Sequence, residues 1–304
     1  MKDLKNYLES LLDDEDELAR DDKAIIKKFL EANYTRDYWA IRSNIDFEII
    51  EDSKFGYIVN FDACVCANAD IKSLTNDIFV WGRCQQFVCE NCKYLESFEG
   101  APQKCDLSFI CRHCDRIKNL IGIPQEKGII YCENCKSLES LEGAPQECID
   151  FHCNECSNLK SLKHAPQVCR NFSCQECHSL KSLEGAPQEC GEFNCSGCDG
   201  LMTIKGAPQK CKLFTCSGCD GLMTLKGAPQ ECGEFNCSEC KSLESFKGAP
   251  RLTHIFNCSG CPNLNSFKEL PEGFNVIREF NCRKCKKLYN KEFPHIRGMI
   301  YRSR

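Results

Sequence analysis

The chain has 304 residues, 27% of them charged, a net charge of −5 and 29 cysteines. No stretch approaches 18 consecutive apolar residues, so a membrane-spanning helix is excluded, and the acidic balance argues against a general nucleic-acid binder. The odd cysteine count excludes complete intramolecular disulfide pairing; with no secretory signal readable in the charged residues 1–12, the thiols are expected to be free or metal-bound in a reducing compartment.

Residues 1–35 are expected to form two helices. Leu4, Tyr7, Leu8 and Leu11 share one face of the first, and Ile25, Ile26, Phe29 and Leu30 share one face of the second. The acidic run from Asp13 to Glu17 lies between them or leads into the second, where negative charge favours a helix N-terminus. A hairpin is expected from 45–50 and 55–61 across Glu51 to Lys54, and a further strand at 77–81. Such a segment has a physical purpose, because the open end of a repeat array needs a cover. A degenerate first repeat is read at 60–83 from Asn68, Ile71 and Leu74, spaced three apart.

From Cys84 to Cys285 one unit of about 21 residues repeats, within the period range of solenoids and arrays. CxxC pairs fall at 89/92, 111/114, 132/135, 153/156, 174/177, 195/198, 216/219, 237/240, 258/261 and 282/285, so every step equals that unit except for one of 22 and one of 24. Those two steps mark where the pattern must absorb extra chain. A third cysteine opens most units: Cys84, Cys105, Cys148, Cys169, Cys190, Cys211 and Cys232. Counted from that opening cysteine, the apolar or cysteine positions are 1, 4, 6, 9, 12 and 15, with phenylalanine usual at 4 and leucine at 12. The alternation around positions 4 and 6 predicts a short strand. The recurring Gly-Ala-Pro-Gln predicts the turn that reverses each coil, since proline and glycine fit a strand ladder poorly. One unit cannot bury its own apolar face, but stacked neighbours can, which makes the array a solenoid.

The pattern C-x2-F-x-C-x2-C-x2-L-x2-L resembles the leucine-rich repeat, most closely its cysteine-containing variants, in which cysteine replaces the buried asparagine of the ladder; the run C-x2-L-x2-I/L is also similar to BspA-like surface repeats. The resemblance implies an α/β solenoid of about 10–11 units with a small α+β N-terminal cap. Cysteine at positions 1 and 6, where that family prefers leucine, departs from it. Met1 to Asp16 resembles the start of leucine-rich-repeat proteins of gut bacteriophages and Bacteroidales, and the first nine or ten residues are similar to the short capsid-targeting tags of tailed phages, which end in glutamate. That implies a phage-encoded protein in the bacterial host cytoplasm, or one associated with the virion.

Adjacent pairs read C-x2-C-x17-C-x2-C, a spacing that suits a four-thiolate zinc site. The alternative candidate ligands are Cys89, Cys92, Cys111, Cys114, Cys132, Cys135, Cys153 and Cys156. Periodicity weighs against it: every pair has two equivalent neighbours, so nothing selects which four thiolates share an ion. The preferred expectation is buried core thiols and no cofactor, because free cysteine behaves as a small hydrophobe. A redox CxxC needs exposure and a lowered pKa, which the repeat does not offer. The six histidines occupy different repeat positions and no nucleotide fingerprint occurs, so no enzymatic activity is expected.

The domain expectation is an N-terminal cap at 1–60, the solenoid at 61–288 and a cap or basic tail at 289–304. Residues 283–304 hold eight Lys or Arg against Glu292 alone, which reads as a solvated face. The expected function is non-enzymatic scaffolding of an unknown protein partner through the exposed strand face at positions 2, 3, 5, 7 and 8, in the cytoplasm, without membrane or nucleic acid. Residues 195–203 recur letter for letter at 216–224, so the middle of the array reads as spacer. Specificity is expected where the pattern breaks, and the candidate partner-binding residues are Arg112, His113, Asp150, His152, Asn154, Arg170, Asn171 and Gln175.

Overall fold

A computed structural model describes residues 47–52, 56–67, 74, 79–102, 104–288, 291–293 and 296–302. The two helices expected at 1–35 lie outside the described residues. Within the described chain every regular element is a strand: β1 (Phe47–Asp52), β2 (Gly56–Ala67), β3 (Phe79–Glu90), β4 (Lys104–Arg112), β5 (Ile129–Glu133), β6 (Asp150–His152), β7 (Val168–Ser173), β8 (Glu189–Asn194), β9 (Lys210–Thr215), β10 (Glu231–Asn236), β11 (Leu252–Asn257), β12 (Asn275–Asn281) and β13 (Met299–Tyr301).

These elements belong to two compact units, Met1–Lys136 with Gly143–Pro145, and Ser137–Glu142 with Gln146–Arg304. In the first, β1 pairs antiparallel with β2, where the hairpin is expected. Strands β2 to β5 then run parallel in sequence order. β2 brings Cys64 and Cys66 into register with Phe87 and Cys89. It thus supplies the earlier degenerate repeat, although Asn68 and Ile71 of that reading lie outside the described residues. In the second unit β6 to β13 are parallel and again follow sequence order. Each unit is therefore a parallel β-solenoid, and each turn of it is one copy of the sequence repeat.

The helices implied by an α/β class are absent among the described residues, and the reason is in the spacing. After the strand, the inward positions are 6, 9, 12, 15 and 18, each three residues from the last. A helix needs a 3.6-residue period to keep one face inward. A strict three-residue period instead suits a chain of tight turns, and the hydrogen bonds show them. Leu201 N–H donates to Cys198 O at 2.9 Å and Ala207 N–H to Ile204 O at 3.1 Å; the same two bonds recur as Leu180 to Cys177 and Ala186 to Leu183. Glycine is favoured at position 17 by a left-handed backbone. Gly206 has φ 94°, and a Cβ there would lie 2.4 Å from Leu183 O of the preceding coil.

The core is a set of columns. In the second unit Phe151, Phe172, Phe193, Phe214, Phe235, Phe256 and Phe280 stack at centroid separations of 5.3–5.4 Å. In the first, Phe87 stacks on Phe109 at 5.4 Å. All nine are buried. Leucine at position 12 and alanine at position 18 form further buried columns.

The two irregular steps are located. The 22-residue step is a bulge in β4: Cys84 pairs with Cys105, but Gln86 pairs with Ser108. The displaced Leu107 is left 58% exposed. At the 24-residue step the offset is 23 at Thr253–Val276 and 24 at Ile255–Glu279, so one extra residue is a bulge in β12 and the others lie in the preceding turn, where Phe267 and Phe274 pack against Phe246 and Phe256.

Candidate functional site

The CxxC motif is built around an inward carbonyl. Position 6 ends the strand stretch, with its N–H donating to position 5 of the next coil, as Cys174 N–H does to Asn194 O at 2.8 Å. Position 8 then adopts a left-handed conformation: φ is 55° at Glu176, 70° at Gly197 and 58° at Glu239. That turn carries the position 9 thiol inward. Cys177, Cys198, Cys219, Cys240 and Cys261 each place Sγ 3.1 Å from the carbonyl oxygen of the position 6 cysteine one coil back. Cys285 does so to Cys258 at 3.0 Å. In the first unit Cys114 and Cys135 reach Cys89 O and Cys111 O at the longer 3.8 and 3.9 Å. The position 9 cysteine is thus a small apolar group that also donates to a buried carbonyl.

These thiols are held away from solvent. Cys89, Cys92, Cys111, Cys114, Cys132, Cys135, Cys153 and Cys156 are all buried, and a thiol must lose its proton to bind zinc. Burial pushes Cys111, Cys195, Cys216, Cys237 and Cys258 well above the ordinary thiol range. Cys174 is raised by its hydrogen bond with Cys198 and then by burial. Among the described residues no group of three or more His, Cys, Asp or Glu side chains is arranged to hold a metal ion.

The outward strand positions carry the polar groups. In the first unit Arg112, at the end of β4, pairs with Glu133 at 2.9 Å and lies over the Tyr131 ring at 5.3 Å. His113 follows at position 8 with φ 54°, exposed, its N–H donating to Glu133 O at 3.1 Å. Tyr131 and Glu133 are not among the residues that sequence reasoning selects. A signal for Glu133 exists all the same, because it stands one repeat after Arg112 with the opposite charge.

In the second unit five of the candidates form two small networks. Asp150, buried at the start of β6, accepts two bonds from Arg170, Nε at 3.2 Å and Nη2 at 2.8 Å, and one from Asn171 Nδ2 at 2.9 Å. Arg170 itself is 67% exposed; its hydrogen bond to Asp150 and that charge raise its pKa. Asn154 Oδ1 accepts from Ser173 Oγ at 2.6 Å and from Gln175 N at 2.9 Å, and Gln175 Nε2 returns a bond to Ser173 Oγ at 3.1 Å. His152 lies between Asp150 and Asn154 on the same chain segment and is half-buried.

The middle coils differ. Asn194 Oδ1 accepts from Ser196 N–H at 3.0 Å and Ser196 Oγ at 2.7 Å, and Ser217 Oγ donates to Ser196 Oγ at 2.9 Å. Asn236 and Asn257 repeat the bond to the serine two residues on. These asparagine side chains are engaged within the strand face, although β9 carries Lys212, Leu213 and Thr215 where β8 has Gly191, Glu192 and Asn194.

No protein-family model and no curated protein matches the chain. Among the described residues no helix is long and apolar enough to cross a membrane.

Proposed function

We propose that the chain is a non-enzymatic scaffold that holds a protein partner on the exposed strand face, with contacts concentrated at Asp150, His152, Asn154, Arg170, Asn171 and Gln175. The observation that supports this reading most is the Asp150–Arg170 pair. A buried carboxylate orients a guanidinium whose remaining donors face solvent, a fixed fork suited to carboxylate or carbonyl acceptors on a partner. Arg112, braced by Glu133 and Tyr131, offers a second such group beside His113. The asparagine–serine bonds that recur at Asn194, Asn236 and Asn257 suit a spacer.

The test is retention of a partner by the purified chain, compared among variants. Asp150→Ala with His152→Ala, and Arg112→Ala with His113→Ala, are expected to weaken retention at least tenfold, about 1.4 kcal/mol or more. Asn194→Ala with Ser196→Ala is expected to leave it unchanged. Loss only in the last variant would sink the assignment. A phage-encoded setting in host cytoplasm or virion rests on residues 1–16, outside the described residues. Cleavage after Glu9, seen by mass spectrometry of particles, would support it.

A further inference from the structure

The opening cysteines form a second thiol column, chemically distinct from the CxxC ladder. In the second unit it runs through Cys148, Cys169, Cys190, Cys211 and Cys232. Its members sit at the sheet margin, 5–7% exposed in four cases, and Cys211 alone among the described cysteines is half-buried rather than buried. The CxxC thiols of the neighbouring coils are 0% exposed. An open groove of ≈ 560 Å³ touches the column at Cys169 and Cys190 and ends at Lys210, the residue before Cys211.

Cys211 and Cys232 are directly opposite each other on β9 and β10, with Sγ atoms 3.5 Å apart and hydrogen-bonded. Backbone partners across a strand pair lie about 4.8 Å apart, within the roughly 4.4–6.8 Å separation a disulfide spans. The two sulfurs are inequivalent: the Cys232 thiol also donates to Glu234 O at 2.8 Å, a proton it must give up before it reacts, while Cys211 is the more open to solvent.

We propose that Cys211 and Cys232 are an oxidative modification site, at which a small hydroperoxide converts the pair to a disulfide joining two adjacent coils. The Cys232 thiolate attacks the peroxide; an S–O bond forms, the O–O bond breaks, and the departing oxygen takes a proton from water. Sulfur loses two electrons and becomes a sulfenic acid. The Cys211 sulfur then attacks that sulfur, the S–S bond forms, and the hydroxyl leaves with the thiol proton as water. The hydrogen bond from Cys211 lowers the pKa of Cys232, opposed by burial, while the same contact raises Cys211. Cys240 and Cys285 are lowered too, by Cys261 and Cys258, but in those pairs both partners are buried, whereas the half-buried Cys211 opens the Cys232 pair to solvent. Thiolate character and access together select the pair.

The experiment is limited hydrogen peroxide on the native, reduced protein, alkylation of the remaining thiols, and peptide mapping by mass spectrometry. The expected result is a Cys211–Cys232 link formed at least about tenfold faster than any loss of CxxC thiols. In Cys211→Ser, Cys232 should instead be trapped as a sulfenic acid by dimedone. The wild-type map decides the matter even if that variant folds poorly. Oxidation that begins at CxxC thiols, or a native protein in which no thiol pair is lost before unfolding, overturns the proposal.

Discussion

At the residue scale, the position 9 cysteine explains itself once its carbonyl partner is seen. A leucine there would fill space but leave the inward carbonyl of the preceding coil without its donor. Cys198→Ala is therefore expected to cost about 1–3 kcal/mol, the penalty for withdrawing a buried hydrogen-bond donor, with urea unfolding as the readout. A cost indistinguishable from zero would mean that the Cys174 carbonyl does not depend on the thiol. Phe193→Ala removes a ring from the middle of a stack and should cost about 3–5 kcal/mol. The cysteine positions themselves are legible in the sequence, as is their burial. The donor role is not, because it depends on the left-handed residue at position 8, and Glu176 or Glu239 gives no hint of φ > 0.

At the element scale, the strand is legible and the return path is the harder reading. Position 4 lies within β7 to β11 as expected, while position 6 follows directly on the last residue of each strand. Resemblance to a family whose units carry helices points the return path the wrong way, although Cys198, Leu201, Ile204 and Ala207 are spaced by threes. The spacing, taken strictly, gives turns. The left-handed position 17 supplies a test. Gly206 cannot accept a Cβ without moving the Leu183 carbonyl, so Gly206→Ala should destabilise by more than about 1 kcal/mol, whereas the same change at ordinary backbone angles stabilises by about 0.4–1 kcal/mol. His164 occupies the same position with φ 68°. His164→Gly should raise the thermal midpoint slightly, by up to about 1 kcal/mol of stability. A thermal melt in which Gly206→Ala is neutral would remove the close approach as the reason for glycine. The 22- and 24-residue steps are readable as insertions, but their resolution into bulges at β4 and β12 depends on which residues stay in register.

At the scale of the whole molecule, the concentration of buried thiols sets a pH dependence. Burial holds Cys195, Cys216, Cys237 and Cys258 protonated well above the ordinary value of 9.0, and it pushes Cys282 up to about 12. In the unfolded chain these thiols ionise near their ordinary value. Above it the unfolded state binds fewer protons than the folded state, so unfolding becomes easier as pH rises. The stabilisation is complete below about pH 8 and should fall steadily through about pH 9–11. Denaturant midpoints measured across that window are expected to decline, with no comparable fall between about pH 6 and 8. The ion pairs between coils, such as Glu184–Lys205 at 2.7 Å, are exposed on both sides and contribute register more than stability.

The CxxC ladder packs the coils and supplies donors to the inward carbonyls. The most direct test is elemental analysis for zinc, iron and copper on folded, untagged protein purified without chelator, paired with circular dichroism before and after added chelator. The expected result is far less than one metal atom per chain and a strand signal indifferent to chelation. Several atoms per chain, lost together with the strand signal when chelator is added, would contradict it and make the cysteines ligands.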